Sequence, residues 1–263
     1  MAHGHRCSVN PANAEALAAR ASAAGVRLNV IIDVELGFGR TGVTSPEAAV
    51  ALGQTIKSLP PLAYQGLQAY GGHIQHTIDP DERLALCRQA HLKIDAVILA
   101  LSAIDMKPGI VTGGGTGSHA IDAREGPFTE IQAGSYVFMD AEYETVIYES
   151  GKAWPFENAL FVQTAVISTN VAGFVTTDAG TKAFALNGPA PRVISAGLET
   201  ATYSYAGDEH GRLHLKNDAV RPVIGDVIEC VVSHNDPTVA LYGHYHCVRA
   251  DRLVDLWDVS ARR

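Results

Sequence analysis

Residues 26–42 read VRLNVIIDVELGFGRTG. Val26 to Val34 is rich in β-branched residues and closes on an almost unbroken apolar run, the pattern of a strand buried on both faces. Glu35 to Gly42 then sets glycines around one arginine, Arg40, which ends the strand in a loop. Upstream, Asn10-Pro11 through Gly25 is alanine-rich, with a capping Asn, a Pro at the first helical position and a Gly stop, which predicts a helix. Downstream, Ser45-Pro46-Glu47 opens a second helix by the same capping logic, running to about Ser58. Tyr64–Tyr70 reads as a strand, Asp79-Pro80-Asp81-Glu82 begins a longer helix through about Ile104, and Gly109–Thr112 and Thr129–Met139 read as further strands. Strands alternating with helices of this length predict a parallel sheet with right-handed crossovers, either a barrel or a doubly wound sheet.

From about Ala159 the pattern changes. Short runs such as LFVQTAVIST, RVISAG, ATYSYAG and DVIECVVSH, punctuated by Gly, Pro and Asn, predict an all-β domain. The boundary falls within Tyr148–Asn158, where Glu149-Ser150-Gly151-Lys152 and Trp154-Pro155 break the preceding pattern, giving domains at 1–155 and 156–263.

Composition narrows the function classes. With 47% hydrophobic and 18% charged residues the chain is globular, neither disordered nor a coiled coil. The charge balance, 20 − 28 = −8, provides no positive field for nucleic acid or an anionic membrane, so a small-molecule partner is expected. No apolar run approaches the roughly 18 residues of a membrane span, and Met1–Arg6 lacks a signal peptide's apolar segment; the expectation is a cytoplasmic protein. The four cysteines, Cys7, Cys87, Cys230 and Cys247, contain no CxxC spacing and read as free thiols.

In sheets of this kind the functional loops follow the carboxyl ends of the strands, and the unusual residues of this sequence fall there. Gly113-Gly114-Gly115-Thr116-Gly117-Ser118 can turn successive backbone N–H groups toward an anion such as a phosphate, though it lacks the lysine of a P-loop and the spacing of a dinucleotide fingerprint. The alternative is a plain glycine-rich turn. Arg40 can reach a ligand oxygen over the mouth of the sheet, or pair with Glu35. His73 and His76 stand with Gln68, Tyr70 and Gln75 after a strand, where imidazole suits proton transfer near neutral pH; a single histidine is more often structural, and two in one strand-end loop shift that balance toward chemistry. Ser233-His234-Asn235-Asp236 follows the strand DVIECVV; if the extended geometry continues, His234 and Asp236 face the same way and offer a divalent cation a nitrogen and a carboxylate. His244-x-His246, followed by Cys247, is a rival pair.

Together these loops resemble the family of D-threonine aldolases and eukaryotic-type D-serine dehydratases, pyridoxal-phosphate enzymes of the alanine-racemase fold. The stretches that carry the resemblance are IIDVELGFGRTGV at 31–43, GLQAYGGHIQH at 66–76, VTGGGTGSH at 111–119, EIQAGSYVFMD at 130–140 and SHNDPTV at 233–239. The resemblance implies a partial (β/α) barrel of the alanine-racemase N-terminal type followed by a C-terminal all-β domain carrying the metal motif. It implies that pyridoxal 5'-phosphate is held by Arg40, at the phenolic oxygen, by Tyr70, and by the backbone of Gly115, Thr116 and Gly117. It further implies a divalent metal (Mn, Mg or Zn) on His234 and Asp236, in preference to His244 and His246, and a catalytic histidine, His76 with His73 as alternative. The implied reaction is cleavage of D-3-hydroxy amino acids to glycine and an aldehyde by a homodimer. The alternatives are a D-serine or D-threo-3-hydroxyaspartate dehydratase, or a non-catalytic cofactor- or metal-binding remnant.

The family also requires a lysine that holds the cofactor covalently, on its first barrel strand. None of Lys57, Lys93, Lys107, Lys152, Lys182 and Lys216 falls in a matching motif. The expectation is therefore a chain that lacks the amino-terminal third of a family member. With roughly 100 residues assigned to the β domain, the remainder is too short for a closed eight-stranded barrel.

Overall fold

A computed structural model describes residues 6–216 and 220–261. Met1–His5, part of the segment behind the localisation expectation, lie outside the described residues. Contacts divide the chain into two units, one running to Gly134 and including Tyr148–Gly151, the other comprising Ser135–Ile147 and the residues from Lys152 onward. The sequence places the boundary near residue 155, whereas Ser135–Ile147 packs with the second unit, tied by Ala141 N to Val232 O (2.9 Å) and Glu142 N to Ser233 O (3.2 Å).

The first unit is a five-stranded parallel sheet in sequential order: β1 (Arg6–Ser8), β2 (Leu28–Asp33), β3 (Leu62–Ala69), β4 (Ile110–Gly113) and β5 (Glu130–Ile131). A doubly wound sheet reverses its strand order at a switch point; this sheet does not, so it is an arc of a barrel. The helices form where the caps predict. Asn10 accepts from Asn13 N at 2.9 Å ahead of α1 (Pro11–Ala23), and Ser45 from Ala48 N at 3.2 Å ahead of α2 (Pro46–Lys57). Asp79 accepts from Asp81 N and Glu82 N at 2.8 and 3.0 Å ahead of α3 (Pro80–Ser102). Each such cap contributes about 1 kcal/mol. α4 (His119–Glu125) completes the unit's helices. Val30, Ile32, Val34, Leu67, Ala69 and Val111 face this helical layer and pack in one core with Leu52, Ile56, Ile94, Val97 and Leu101.

Three details differ from the sequence reading. β2 begins at Leu28 rather than Val26, because α1 ends in a C-cap turn with Gly25 at φ +64° and Val26 N bonded to Ala21 O. β1 carries too little apolar pattern to be read as a strand, yet pairs with β2 through Arg6↔Val30, Cys7↔Ile31 and Ser8↔Ile32. The strand expected over Thr129–Met139 shrinks to Glu130–Ile131, because Ser135–Val137 turns into a 3₁₀ helix and Met139 N bonds Ser135 O at 2.7 Å.

The second unit holds a six-stranded antiparallel sheet in the order β8-β11-β6-β7-β10-β9, made of β6 (Phe161–Ser168), β7 (Phe174–Thr177), β8 (Arg192–Val193), β9 (Thr202–Tyr205), β10 (Gly211–His214) and β11 (Val227–Val231). Two short helices, α5 (Ala141–Glu144) and α6 (Asn235–Val239), and a separate hairpin of β12 (His244–Arg249) and β13 (Arg252–Asp258) accompany it. Its core gathers Val162, Val166, Val175, Phe184, Tyr203, Leu213, Ile228 and Cys230. All four cysteines are free, and burial pushes the Cys87 and Cys230 thiols up to about 12. No helix among the described residues is long and apolar enough to cross a membrane.

Candidate functional site

The arginine loop is built from the end of β2. Glu35 N bonds Val43 O at 3.0 Å and Val43 N bonds Asp33 O at 2.8 Å, so the chain leaves the strand and returns beside it. Gly42 closes the return at φ +107°, where a Cβ would fall 2.8 Å from Glu35 N; no side chain fits. The Glu35 carboxylate organises the loop interior, accepting from Gly37 N and Gly39 N at 2.7 Å each. The Gly39 amide, with that of Gly37, holds its carboxyl below the usual carboxylate range. Glu35 is thus not the partner of Arg40. The Arg40 guanidinium lies against the rings of Phe38 (5.7 Å) and Tyr70 (5.1 Å), and among the described residues no carboxylate or carbonyl accepts from it. Such stacking orients a cation while leaving its in-plane N–H groups available. A shallow cleft open to solvent lies here, with Asp33, Glu35, Phe38, Arg40, Thr41 and Tyr70 in its lining.

Across the sheet runs a polar row of which the sequence reading names only Gln68. Asp33, Gln68, Thr112 and Glu130 are successive register partners on β2 to β5, and alternation puts them on the face opposite the helices. Gln68 Nε2 donates to Asp33 Oδ1 at 3.3 Å, Thr41 Oγ1 to Asp33 Oδ2 at 2.5 Å and Thr112 Oγ1 to Glu130 Oε1 at 2.8 Å; the Cys7 thiol on β1 donates to Gln68 Oε1 at 3.0 Å. The signal was present: each of IID, GLQ and IVT ends an apolar run on a polar residue.

The two histidines after β3 are separated by a buried glutamine. His73 is exposed and stacked on Phe38 at 6.1 Å, and His76 is half-buried. Gln75 between them is 1% exposed, and its Oε1 accepts from Gly117 N at 2.9 Å and Ser118 N at 3.2 Å. Gly115 N donates to Ser118 Oγ at 3.2 Å. The amides of Gly115 and Gly117, expected at a ligand phosphate, both donate to protein acceptors here, because the buried Ser118 hydroxyl and Gln75 amide require partners. Gly114 N has no acceptor among the described residues.

In the second unit, β11 ends at Val231, His234 is extended (φ −141°, ψ 126°), and α6 starts at Asn235. Asp236 lies in the first turn of that helix, so the strand alternation invoked for His234 and Asp236 does not hold. The helix is drawn down by Asp140, whose Oδ2 accepts from Asn235 N at 3.0 Å. His234 Nδ1 lies 2.9 Å from Asn187 Nδ2 and 3.3 Å from Glu142 Oε2, a carboxylate the sequence reading did not single out. The rival histidines sit on the β12–β13 hairpin, both exposed, with His244 Nε2 3.1 Å from Asp258 Oδ1 and His246 opposite Leu256. Among the described residues no group of three His, Cys, Asp or Glu side chains converges to hold a metal ion.

Residues 5–142 match the family described as alanine racemase, N-terminal domain, and residues 159–248 match a putative serine dehydratase domain. The chain belongs to this alanine-racemase family and has its fold, a parallel sheet with helices followed by an antiparallel β domain. It is 38% identical to a D-threonine aldolase of Arthrobacter sp over 91% of this chain and 62% of the relative. It is 34% identical to a 3-hydroxy-D-aspartate aldolase of Paracoccus denitrificans (strain Pd 1222) over 97% of this chain and 66% of the relative. The crystal structure of D-threonine aldolase from Filomicrobium marinum superposes with a TM-score of 0.93 at 34% identity, covering 98% of this chain and 70% of that one. The chain thus spans 62% and 66% of the length of the two curated relatives.

Proposed function

We propose that the protein is a pyridoxal-phosphate-dependent lyase that cleaves D-3-hydroxy amino acids to glycine and an aldehyde, in the manner of the aldolases it is similar to. The observation that carries the reading is Arg40, a guanidinium held against two aromatic rings over an open cleft, with no protein acceptor among the described residues. That donor set fits an anionic oxygen such as the phenolic oxygen of the cofactor. Tyr70 lines the same cleft, and Gly114 offers an amide at the glycine loop.

When bound, the cofactor supplies an electron sink for charge left at Cα. The protein's own residues do the rest. Arg40 binds the anionic oxygen, and its stacking on Phe38 and Tyr70 fixes the direction of its N–H groups. His76, or His73 in its place, accepts the proton of the substrate's β-hydroxyl on an imidazole nitrogen as the Cα–Cβ bond breaks, and can return a proton to Cα. His234 and Asp236 are assigned to a divalent metal; a two-residue donor set leaves positions for oxygen ligands. A homodimer and a cytoplasmic location complete the reading. No lysine of this chain is assigned the covalent link to the cofactor.

Incubation with pyridoxal phosphate, Mn²⁺ and D-threonine tests the reading, with acetaldehyde as the expected product. Pyruvate from D-serine, or oxaloacetate from 3-hydroxyaspartate, would instead identify a dehydratase. Cofactor uptake without turnover of any D-amino acid would identify a binding protein.

A further inference from the structure

We propose that Gln75, Ser118, Asp122 and His91 are positioning residues that hold the glycine loop, residues 113–118, in the shape that receives the phosphate of the cofactor. The proposal rests on the cofactor reading above. All four side chains are buried, at 1%, 2%, 4% and 6% exposure respectively, and they come from the turn after β3, the end of the loop, α4 and α3.

Their protons can be accounted for in one direction. Gln75 Nε2 donates to Gly71 O (3.2 Å) and to Ser118 Oγ (3.0 Å), while its Oε1 accepts the amides of Gly117 and Ser118. Ser118 Oγ also accepts from Gly115 N and donates to Asp122 Oδ2 at 2.5 Å, and Asp122 Oδ1 lies 2.8 Å from His91 Nε2. A buried polar network satisfied in this way fixes a single geometry, whereas apolar side chains would fill the same space at lower desolvation cost.

The glycines fit the network closely. A Cβ at Gly114 would stand 2.4 Å from Asp122 Oδ2, one at Gly115 2.5 Å from Gln75 Oε1, and one at Gly117 1.9 Å from Gln75 O. The loop is glycine-rich because it closes down on Gln75 and Asp122. This tethers the amides of Gly115, Gly117 and Ser118 and leaves that of Gly114 without a protein acceptor among the described residues.

The test compares equilibrium titrations of pyridoxal 5'-phosphate and of pyridoxal, which lacks the phosphate, for the unsubstituted protein, Ser118→Ala and Asp122→Asn, each checked by its melting curve. Loss of a buried partner should weaken binding of the phosphorylated ligand by about tenfold or more, with pyridoxal binding unchanged. Equal loss of both ligands, or unchanged binding of the phosphorylated one, overturns the proposal and leaves the cofactor reading standing. Failure of the unsubstituted protein to take up pyridoxal 5'-phosphate overturns both. Should these variants not fold, Gln75→Glu, which keeps an acceptor oxygen but loses the donors, must show the same selective loss. Amide exchange on the unsubstituted protein is the independent check: Gly117 and Ser118 should exchange slowly, and fast exchange at these two amides refutes the network.

Discussion

Replacing Glu35 removes the group that gathers the arginine loop. In Glu35→Ala two bonds to a carboxylate disappear, those from Gly37 N and Gly39 N at 2.7 Å each. Bonds to charged acceptors contribute about 1.5–3 kcal/mol each when shielded, and these are exposed to solvent, so about 1–2 kcal/mol for the pair is the reasonable scale. If that energy keeps the loop in the form that presents Arg40, its loss lowers apparent affinity for an anionic ligand by about 5- to 30-fold. Glu35→Gln keeps an oxygen acceptor without the charge and should fall between. Because the folded carboxyl is held below its ordinary value of 4.5, loop order is complete above that value. It is lost as pH falls through the depressed folded value, and the glutamine variant should not show this acid-side loss. The measurements are amide exchange over residues 36–42 and titration with pyridoxal 5'-phosphate. Wild-type exchange and affinity in Glu35→Ala would refute the reasoning.

Gly42→Ala should be worse for folding than for binding. At φ +107° with Glu35 N only 2.8 Å from the new Cβ, the cost should be about 2–4 kcal/mol, read as a melting midpoint lowered by roughly 4–16 °C. His234→Ala should abolish Mn²⁺ binding measured by electron paramagnetic resonance while His246→Ala leaves it intact; the reverse result would move the metal to the β12–β13 hairpin.

The parts of the molecule legible in the sequence are those whose physics is local. Asn10, Ser45 and Asp79 cap the helices they announce, and the run ending at Val34 forms the strand it predicts. The parts missed depend on partners distant in sequence. β1 is a strand because Leu28–Asp33 offers it a ladder, and nothing in Arg6–Ser8 records that. Asp236 follows a strand, but Asp140, nearly a hundred residues away, accepts Asn235 N where the chain turns into a helix. The glycine loop was visible as a feature; the direction of its amides was not, since Gln75 and Asp122 decide it. His91 and Glu142 are missed for the same reason: His91 is one polar residue within an ordinary helical pattern, and Glu142 lies in a short helix, Ala141–Glu144, that the sequence does not announce.

The polar row of Asp33, Gln68, Thr112 and Glu130 also bears on how the sheet assembles without error. A slip of one residue in any strand exchanges its two faces. For β3 this would drive Gln68 into the layer of Leu52 and Ile56 and bring Leu67 to the side of Asp33, stranding polar groups at about 1–3 kcal/mol each. An all-apolar strand end would carry little such penalty. The row therefore serves the folding chain as a proofreading mark, one that penalises misaligned pairings.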